Sequence, residues 1–321
     1  MAKQKGPTAK IWRDGALVDW ADANVHVMSH VIHYGSGVFE GMRSYATPTG
    51  GAVFRLRDHM RRLHDSAKIY QLDLKWSVDE LCQATVDTLV ANDLAQCYLR
   101  PLVIRTGEEM AIYGQDAPVE TFIICWEWKD YLGHAAVEGG AHACVSTWRR
   151  AAPNTFPTMA KASGNYLNAQ LAKLESKRNG YDEAIMLDIA GNVAEGSGQN
   201  LFLVRDNTLY TSPFVAGILH GITRDSVLQL AADNGLHVKE MEIPREMLYL
   251  ADEAFFCGSA VEITPVVSID RYALGDGKPG PVTKRIQQQF MSIVTGRAPD
   301  PHRWLTPVPV AEPANAVMIG G

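Results

Sequence analysis

No run in the 321-residue chain is apolar for the about 20 residues that a membrane-crossing helix needs. The opening MAKQKGPTAK is polar and has no hydrophobic signal core behind it, so neither a membrane span nor a secretory leader is expected and the location expected is the cytoplasm. Lysine and arginine are scattered, with no basic block to neutralise a row of phosphates, and the formal net charge is -6; nucleic acid is therefore not an expected partner. There is no CxxC pair. The cysteines, Cys82, Cys97, Cys125, Cys144 and Cys257, stand far apart, mostly in apolar runs such as TFIICW and EAFFCG, and read as buried thiols rather than a metal cluster. Internal repeats and charge blocks are also absent.

What is present is the balance of a globular protein too long for one ordinary core, so two domains are expected. KIWRDGALVDW is a pair of alternating stretches around Asp14-Gly15, a dipeptide that accepts positive φ in a tight hairpin. A second pair, VFEGMRSY and AVFRLR, flanks ATPTGG. Met60, Leu63, Ala67 and Tyr70 fall at helical spacing, and Ser77 with Glu80 forms a capping box ahead of another helix. CYLRPLVI and TFIICWEW are dense in β-branched and aromatic residues and read as strands. Periodicity is lost across WEWKDYLGHAAVEGG. The expected division is an N-terminal α/β domain over 1–130, a connecting loop over 131–140, a C-terminal domain over 141–307 and a disordered tail over 308–321. In the C-terminal part, a helix near Tyr166 to Lys177 carries Leu167, Leu171 and Leu174 on one face, strands EAIMLD and NLFLVRD follow, and another helix runs from about Thr223 to Asp233.

Three local features suggest chemistry. LHGITRDSVLQLAA is a glycine turn entering a helix whose first N–H groups are free for an anion; the plain alternative is an ordinary helix start capped by Thr223. GNVAEGSGQN sets Glu195 among small residues that let a ligand approach the backbone. TMAKASGN sets Lys161 among small residues, where an ammonium can be desolvated and its pKa lowered, although a solvent-facing lysine is the commoner occurrence. His26, His30 and His33 share helical spacing, but the intervening residues are apolar on all sides, so core histidines bonded to backbone are expected and no metal.

Taken together, HVMSHVIHYGSGVFEGMRSY, FRLRDHMRRLHDSAKIY, YLRPLVI, RAAPNTFPTMAKASGNYLNAQ, EGSGQNLF, GITRD, EITPV and GPVTKRIQQ, in order from His26 to Gln288, resemble the branched-chain amino acid aminotransferases, pyridoxal-phosphate enzymes of fold type IV. The resemblance implies an α/β (α+β) architecture with a smaller N-terminal α/β domain and a larger C-terminal pseudo-barrel α/β domain. It implies that Lys161 holds pyridoxal 5'-phosphate as a Schiff base and acts as the catalytic base, and that Glu195 pairs with the pyridine nitrogen, keeping it protonated so that the ring withdraws electrons. The cofactor phosphate is assigned to Arg62, to the turn at Gly221, Ile222 and Thr223, and to the Ser259 hydroxyl; Tyr166 meets the phenolic oxygen and Leu219 packs on the ring.

For the substrate, the same resemblance points to Tyr98 and the backbone at Ser259 and Ala260 for the α-carboxylate. Phe39, Tyr34, Trp128 and Tyr131 wall the side-chain pocket, with Met110 and Ile112 brought from the neighbouring subunit, and Arg100 meets the distal carboxylate of glutamate. The implied reaction is ping-pong transfer of the amino group of leucine, isoleucine or valine to 2-oxoglutarate in a homodimer or a higher assembly of dimers. His220 stands where relatives often carry proline, and Ser259 replaces a common threonine while keeping the hydroxyl. D-amino acid aminotransferases, (R)-selective amine transaminases and aminodeoxychorismate lyases share the lysine and the acid and are the alternatives; YLRPL and HYGSGVFEG favour the branched-chain group.

Overall fold

The computed structural model describes residues 8–108, 110–128 and 138–309, and builds them into two sheets flanked by helices, the first antiparallel and the second mixed, a two-sheet α/β architecture. The first sheet contains β1 (Lys10–Arg13), β2 (Ala16–Asp19), β3 (Gly37–Phe39), β4 (Met42–Thr47), β5 (Gly50–Phe54), β6 (Cys97–Arg105) and β7 (Val119–Trp126). The expected opening hairpin is β1–β2, with φ 41° at Asp14 and 94° at Gly15. The second hairpin is β4–β5. Helices Leu56–Ile69 and Val78–Ala91 follow, the latter started by the Ser77–Glu80 capping box.

Strand periodicity decides what this sheet does. Leu99, Val103, Ile123 and Cys125 of β6 and β7 point to one face, where Leu56, Met60 and Leu63 and then Leu81 and Leu89 of the two helices cover them in a continuous core. Tyr98, Arg100, Leu102, Ile124 and Trp126 therefore point to the other face, which is left as a cavity wall. Pro101 interrupts β6 where a central strand needs a donor. Its partner edge is broken at the same place: β3 ends at Phe39, β4 begins at Met42, and Glu40 N donates to Pro101 O at 2.9 Å.

The second sheet is formed by β8 (Ala141–Val145), β9 (Glu183–Leu187), β10 (Asn192–Gly196), β11 (Asn200–Arg205), β12 (Thr208–Thr211), β13 (His237–Glu240), β14 (Ile243–Pro244), β15 (Glu253–Gly258), β16 (Glu262–Ile269) and β17 (Tyr272–Ala273). Phe202, Phe255 and Ile263 pack against helices Ile222–Asp233 and Pro281–Val294, while Leu201, Phe256 and Val266 fill a second core on the opposite face. The buried carboxylate of Glu253 accepts from the N–H groups of Val282 and Thr283 and so caps the Pro281–Val294 helix.

One expectation is sharpened and another changes. Leu167, Leu171 and Leu174 lie on the exposed side of helix Tyr166–Arg178, at 66%, 41% and 60% exposure, whereas Ala169 and Ala172 are buried and Ala172 meets Ala184 and Met186 of β9. Small residues let the helix sit close on the sheet, and periodicity alone does not say which stripe faces inward. The final strand, β18 (Leu305–Val308), pairs with β5, so the stretch expected to begin a patternless tail at 308 starts inside the first sheet, with Val308 buried. Most of the expected connection at 131–140 and of that tail lies outside the described residues.

Candidate active site

A cavity of about 720 Å³ opens between the free face of β6 and β7 and the ends of β10, β11 and β15. That is the size of a small-molecule site. Lys161 enters it from a segment bridged to the first sheet, with Val38 opposite Ala162 and Phe39 N donating to Lys161 O at 3.0 Å. Lys161 N donates to Ser66 Oγ on helix Leu56–Ile69. The backbone is thus fixed on two sides. Lys161 Nζ donates to Tyr166 Oη at 2.6 Å and lies 5.2 Å from the Phe39 ring centroid.

Glu195, on β10, lines the same cavity and is almost wholly buried. Its carboxylate faces Arg150 Nη2 at 3.0 Å and accepts from Asn200 Nδ2 at 2.9 Å and, more weakly, from Leu219 N at 3.2 Å. Burial pushes its carboxyl above the usual carboxylate range, and Arg150 opposes that shift. Asn200 Nδ2 also donates to Leu219 O, locking the 219–221 turn to β11. A Cβ on Gly221 would come within 1.9 Å of Asn200 Oδ1, so a larger residue would displace this lock.

Helix Ile222–Asp233 starts at this turn. Its N-cap is Gly221 rather than Thr223, and no side chain caps it; Thr223 lies inside the first turn and is buried. The N–H groups of Ile222 and Thr223 therefore stay available for an anion. Arg62 lines the cavity beside them. Its Nε and Nη2 donate to Glu40 and its Nη1 donates to His220 O at 2.8 Å, so its fork is turned onto a protein carboxylate and only its remaining N–H groups are left for a ligand.

On the opposite wall the Tyr98 ring sits 5.2 Å from Trp126 and 4.4 Å from Trp128. Arg100 lays its guanidinium over Phe39 at 4.4 Å, and its Nε is buried with no hydrogen-bond partner among the described residues. Ser259 and Ala260 close this end. Their carbonyls accept from Arg43 Nε and Nη2, both at 2.8 Å, with Arg43 buried on β4 beside Tyr98.

The structure thus gathers Phe39, Arg62, Tyr98, Arg100, Trp128, Lys161, Tyr166, Glu195, Leu219, Gly221, Ile222, Thr223, Ser259 and Ala260 around one cavity. Tyr34, expected on the substrate wall, does not line the cavity of its own chain, nor do Met110 and Ile112, expected from a neighbouring subunit; all three are exposed, and Tyr34 Oη donates to Met110 O at 3.3 Å. Tyr131 lies outside the described residues. Of His26, His30 and His33, only His30 is a core residue, bonded to Ser36 Oγ and Ala111 O; His26, ahead of the short His30–Tyr34 helix, and His33, on its outer side, are exposed. Among the described residues no group of side chains has a metal-binding arrangement.

Sequence reasoning missed Glu40, Arg43, Arg150, Asn200 and Trp126. Trp126 could have been found from strand alternation with Tyr98 and Arg100; the others have no local signal.

The groups around the cavity fit a phosphate-bearing aromatic aldehyde. A lysine amine stands beside a phenol, a buried carboxylate held by an arginine lies at one end, and an uncapped helix N-terminus with a second arginine lies at the other. The family model for amino-transferase class IV matches residues 37–269. The chain is similar to the branched-chain-amino-acid aminotransferase of Escherichia coli (strain K12), 49% identical over 303 residues that cover 93% of this chain and 97% of that protein. The crystal structure of the Escherichia coli enzyme superposes with a TM-score of 0.90 at 48% identity, covering 94% of this chain and 100% of that one. The branched-chain amino acid aminotransferase of Thermobaculum terrenum, in its PLP (holo) form, superposes with a TM-score of 0.89, at 38% identity over 95% of this chain and 100% of that one.

Proposed function

The chain belongs to the class IV aminotransferases, and from that premise we propose that it is a branched-chain amino acid aminotransferase, moving the amino group of L-leucine, L-isoleucine or L-valine to 2-oxoglutarate in two half-reactions. The observation that carries this reading is the pairing of Lys161 Nζ with Tyr166 Oη in a cavity whose two ends offer a buried carboxylate and a free helix N-terminus. Pyridoxal phosphate, when bound, supplies the aldehyde that takes the amino group and the ring that accepts the electron pair left at the substrate Cα.

The protein's own groups do the rest. Lys161 Nζ would hold the cofactor through its aldehyde carbon and, as a free amine, would take the proton from the substrate Cα. Glu195 holds a proton on the pyridine nitrogen, and Tyr166 Oη fixes the phenolic side. Arg62, Ser259 and the N–H groups of Ile222 and Thr223 hold the phosphate. Tyr98 and the Ser259–Ala260 backbone take the α-carboxylate. Phe39, Trp126 and Trp128 bury an alkyl side chain, worth about 1.5–3 kcal/mol when fully desolvated, and Arg100 receives the distal carboxylate of glutamate.

The working unit we propose is a homodimer or an assembly of dimers. Ile112, at 86% exposure, and Met110, at 45%, are large apolar side chains left exposed in one chain, and a second copy would bring them with Tyr34 to the mouth of its partner's cavity. The proposed location is the cytoplasm, which accords with five free thiols. No helix among the described residues is long and apolar enough to cross a membrane. Assaying L-leucine with 2-oxoglutarate beside D-alanine and (R)-1-phenylethylamine tests the reaction: glutamate forms from leucine, and its failure to form overturns the assignment.

A further inference from the structure

The anion end of the cavity is held from behind by a carboxylate that does not reach it. Glu40 sits in the break between β3 and β4 opposite Pro101, has no exposed surface and does not line the cavity. Its Oε1 accepts from Arg62 Nε at 2.6 Å. Its Oε2 accepts from Arg62 Nη2 at 2.8 Å, from His59 Nδ1 at 2.7 Å and from Gly41 N at 3.1 Å. Both oxygens are thereby committed inside the protein. Arg62 Nη1 is tied in turn to His220 O, in the turn that precedes helix Ile222–Asp233.

The charges decide what this arrangement supplies. Burial alone would raise the Glu40 carboxyl, but the Arg62 charge and the His59 hydrogen bond outweigh it and hold the carboxyl well below the usual carboxylate range. Burial pushes His59 toward its neutral form. The Arg62 charge is thus matched by Glu40 within the protein, and Glu40 lowers rather than raises the positive potential at the anion end. As a source of electrostatic attraction it works against an anion. As a support it fixes the plane and direction of the guanidinium beside the free N–H groups, and preorganised donors hold a ligand better than mobile ones.

We propose that Glu40 is a positioning residue for the cofactor phosphate: by clamping Arg62 from the side away from the cavity, it sets how tightly a phosphate-bearing ligand is retained. The proposal rests on the pyridoxal-phosphate reading above. Its test compares two ligands that share ring and aldehyde and differ in the phosphate. Apo protein of the wild type, Glu40→Gln, Arg62→Met and the double variant is titrated with pyridoxal phosphate and separately with pyridoxal, each followed by visible absorbance.

Glu40→Gln weakens pyridoxal phosphate by about 10- to 100-fold, the scale seen when the group behind a ligand-holding side chain is removed, and leaves pyridoxal unchanged. The double variant, which leaves neither charge buried alone, binds pyridoxal phosphate as Arg62→Met does. Unchanged or tighter pyridoxal phosphate binding by Glu40→Gln overturns the proposal, since a carboxylate that only opposed the phosphate would give that result. An equal loss for both ligands overturns it too, because a general disturbance of the cavity does not distinguish them. If Glu40→Gln fails to fold, the double variant decides, and binding weaker than that of Arg62→Met counts against the proposal. A wild-type chain that takes up neither ligand overturns the functional reading itself.

Discussion

The Tyr98 hydroxyl fills the space that a side chain at position 41 would need: a Cβ built on Gly41 would sit 2.0 Å from Tyr98 Oη. Gly41 does not have a positive φ, so the constraint is room rather than backbone conformation. The ring cannot swing aside freely, because Trp126 and Trp128 pack against it. Gly41→Ala should therefore displace the phenol assigned to the α-carboxylate and lower kcat/KM for leucine by about 100-fold, the scale of a misplacement of about 1 Å. Pyridoxal phosphate uptake should be unaffected. Steady-state kinetics beside a cofactor titration check this, and wild-type kinetics in the variant would refute it.

Arg150 is the cation that faces Glu195, and its removal should act on turnover rather than on substrate affinity. Glu195 is buried, its carboxyl is pushed up by that burial, and Arg150 counters the shift from 3.0 Å. In Arg150→Met the carboxyl becomes neutral more readily and no longer favours a proton on the pyridine nitrogen. We expect kcat to fall by about 100-fold, the scale of losing one oriented electrostatic contact in an active site. KM for leucine should change little, and Arg150→Lys should recover part of the loss. A KM effect with kcat intact would mean that Arg150 acts on the substrate instead.

What was legible in the sequence was what neighbouring residues determine. The Asp14-Gly15 turn, the Ser77–Glu80 box and the helix entry at Gly221 are each written within a few positions, and the structure has all three. Arg43 holds the Ser259 carbonyl across 216 positions, and Glu40 and Arg150 likewise meet partners brought close only by the fold. Such pairs leave no local pattern. The leucines of helix Tyr166–Arg178 share one face as their spacing indicates, but spacing identifies only a stripe, and the close fit of Ala169 and Ala172 decides which stripe is buried. Tyr34, Met110 and Ile112 lie outside the cavity of their own chain, so only the resemblance, and not any local pattern, assigns them to a substrate wall.

The Glu40 pair also makes stability depend on pH in a stated direction. Its carboxyl lies well below its ordinary value of 4.5 in the folded protein. Below that ordinary value the unfolded chain takes up a proton that the folded chain does not, so the contribution of Glu40 is present above about 4.5 and is lost as pH falls toward the native value. Breaking the buried pair by Glu40→Gln should cost about 3–5 kcal/mol near neutral pH, since it leaves Arg62 buried without its partner. The gap from wild type should then narrow steadily on acidification. Denaturant melts of both proteins across this range measure the gap, and one that stays constant or widens toward acid would contradict the assignment.

Arg100 should separate the two half-reactions. Its guanidinium rests on aromatic faces, 4.4 Å from the centroid of Phe39 and 5.6 Å from that of Tyr98, and makes no ion pair among the described residues. An alkyl side chain entering the cavity therefore breaks no existing salt bridge, while a distal carboxylate gains a partner that was waiting for one. Truncation to Arg100→Met removes that partner and leaves the apolar wall in place. Losing one side of a desolvated charge pair costs about 2–5 kcal/mol, or about 30-fold and upward in affinity. Stopped-flow measurement of each half-reaction should show the glutamate half slowed at subsaturating substrate by at least that factor and the leucine half close to wild type. An equal loss in both would mean that Arg100 supports the cavity as a whole and does not select between its two substrates.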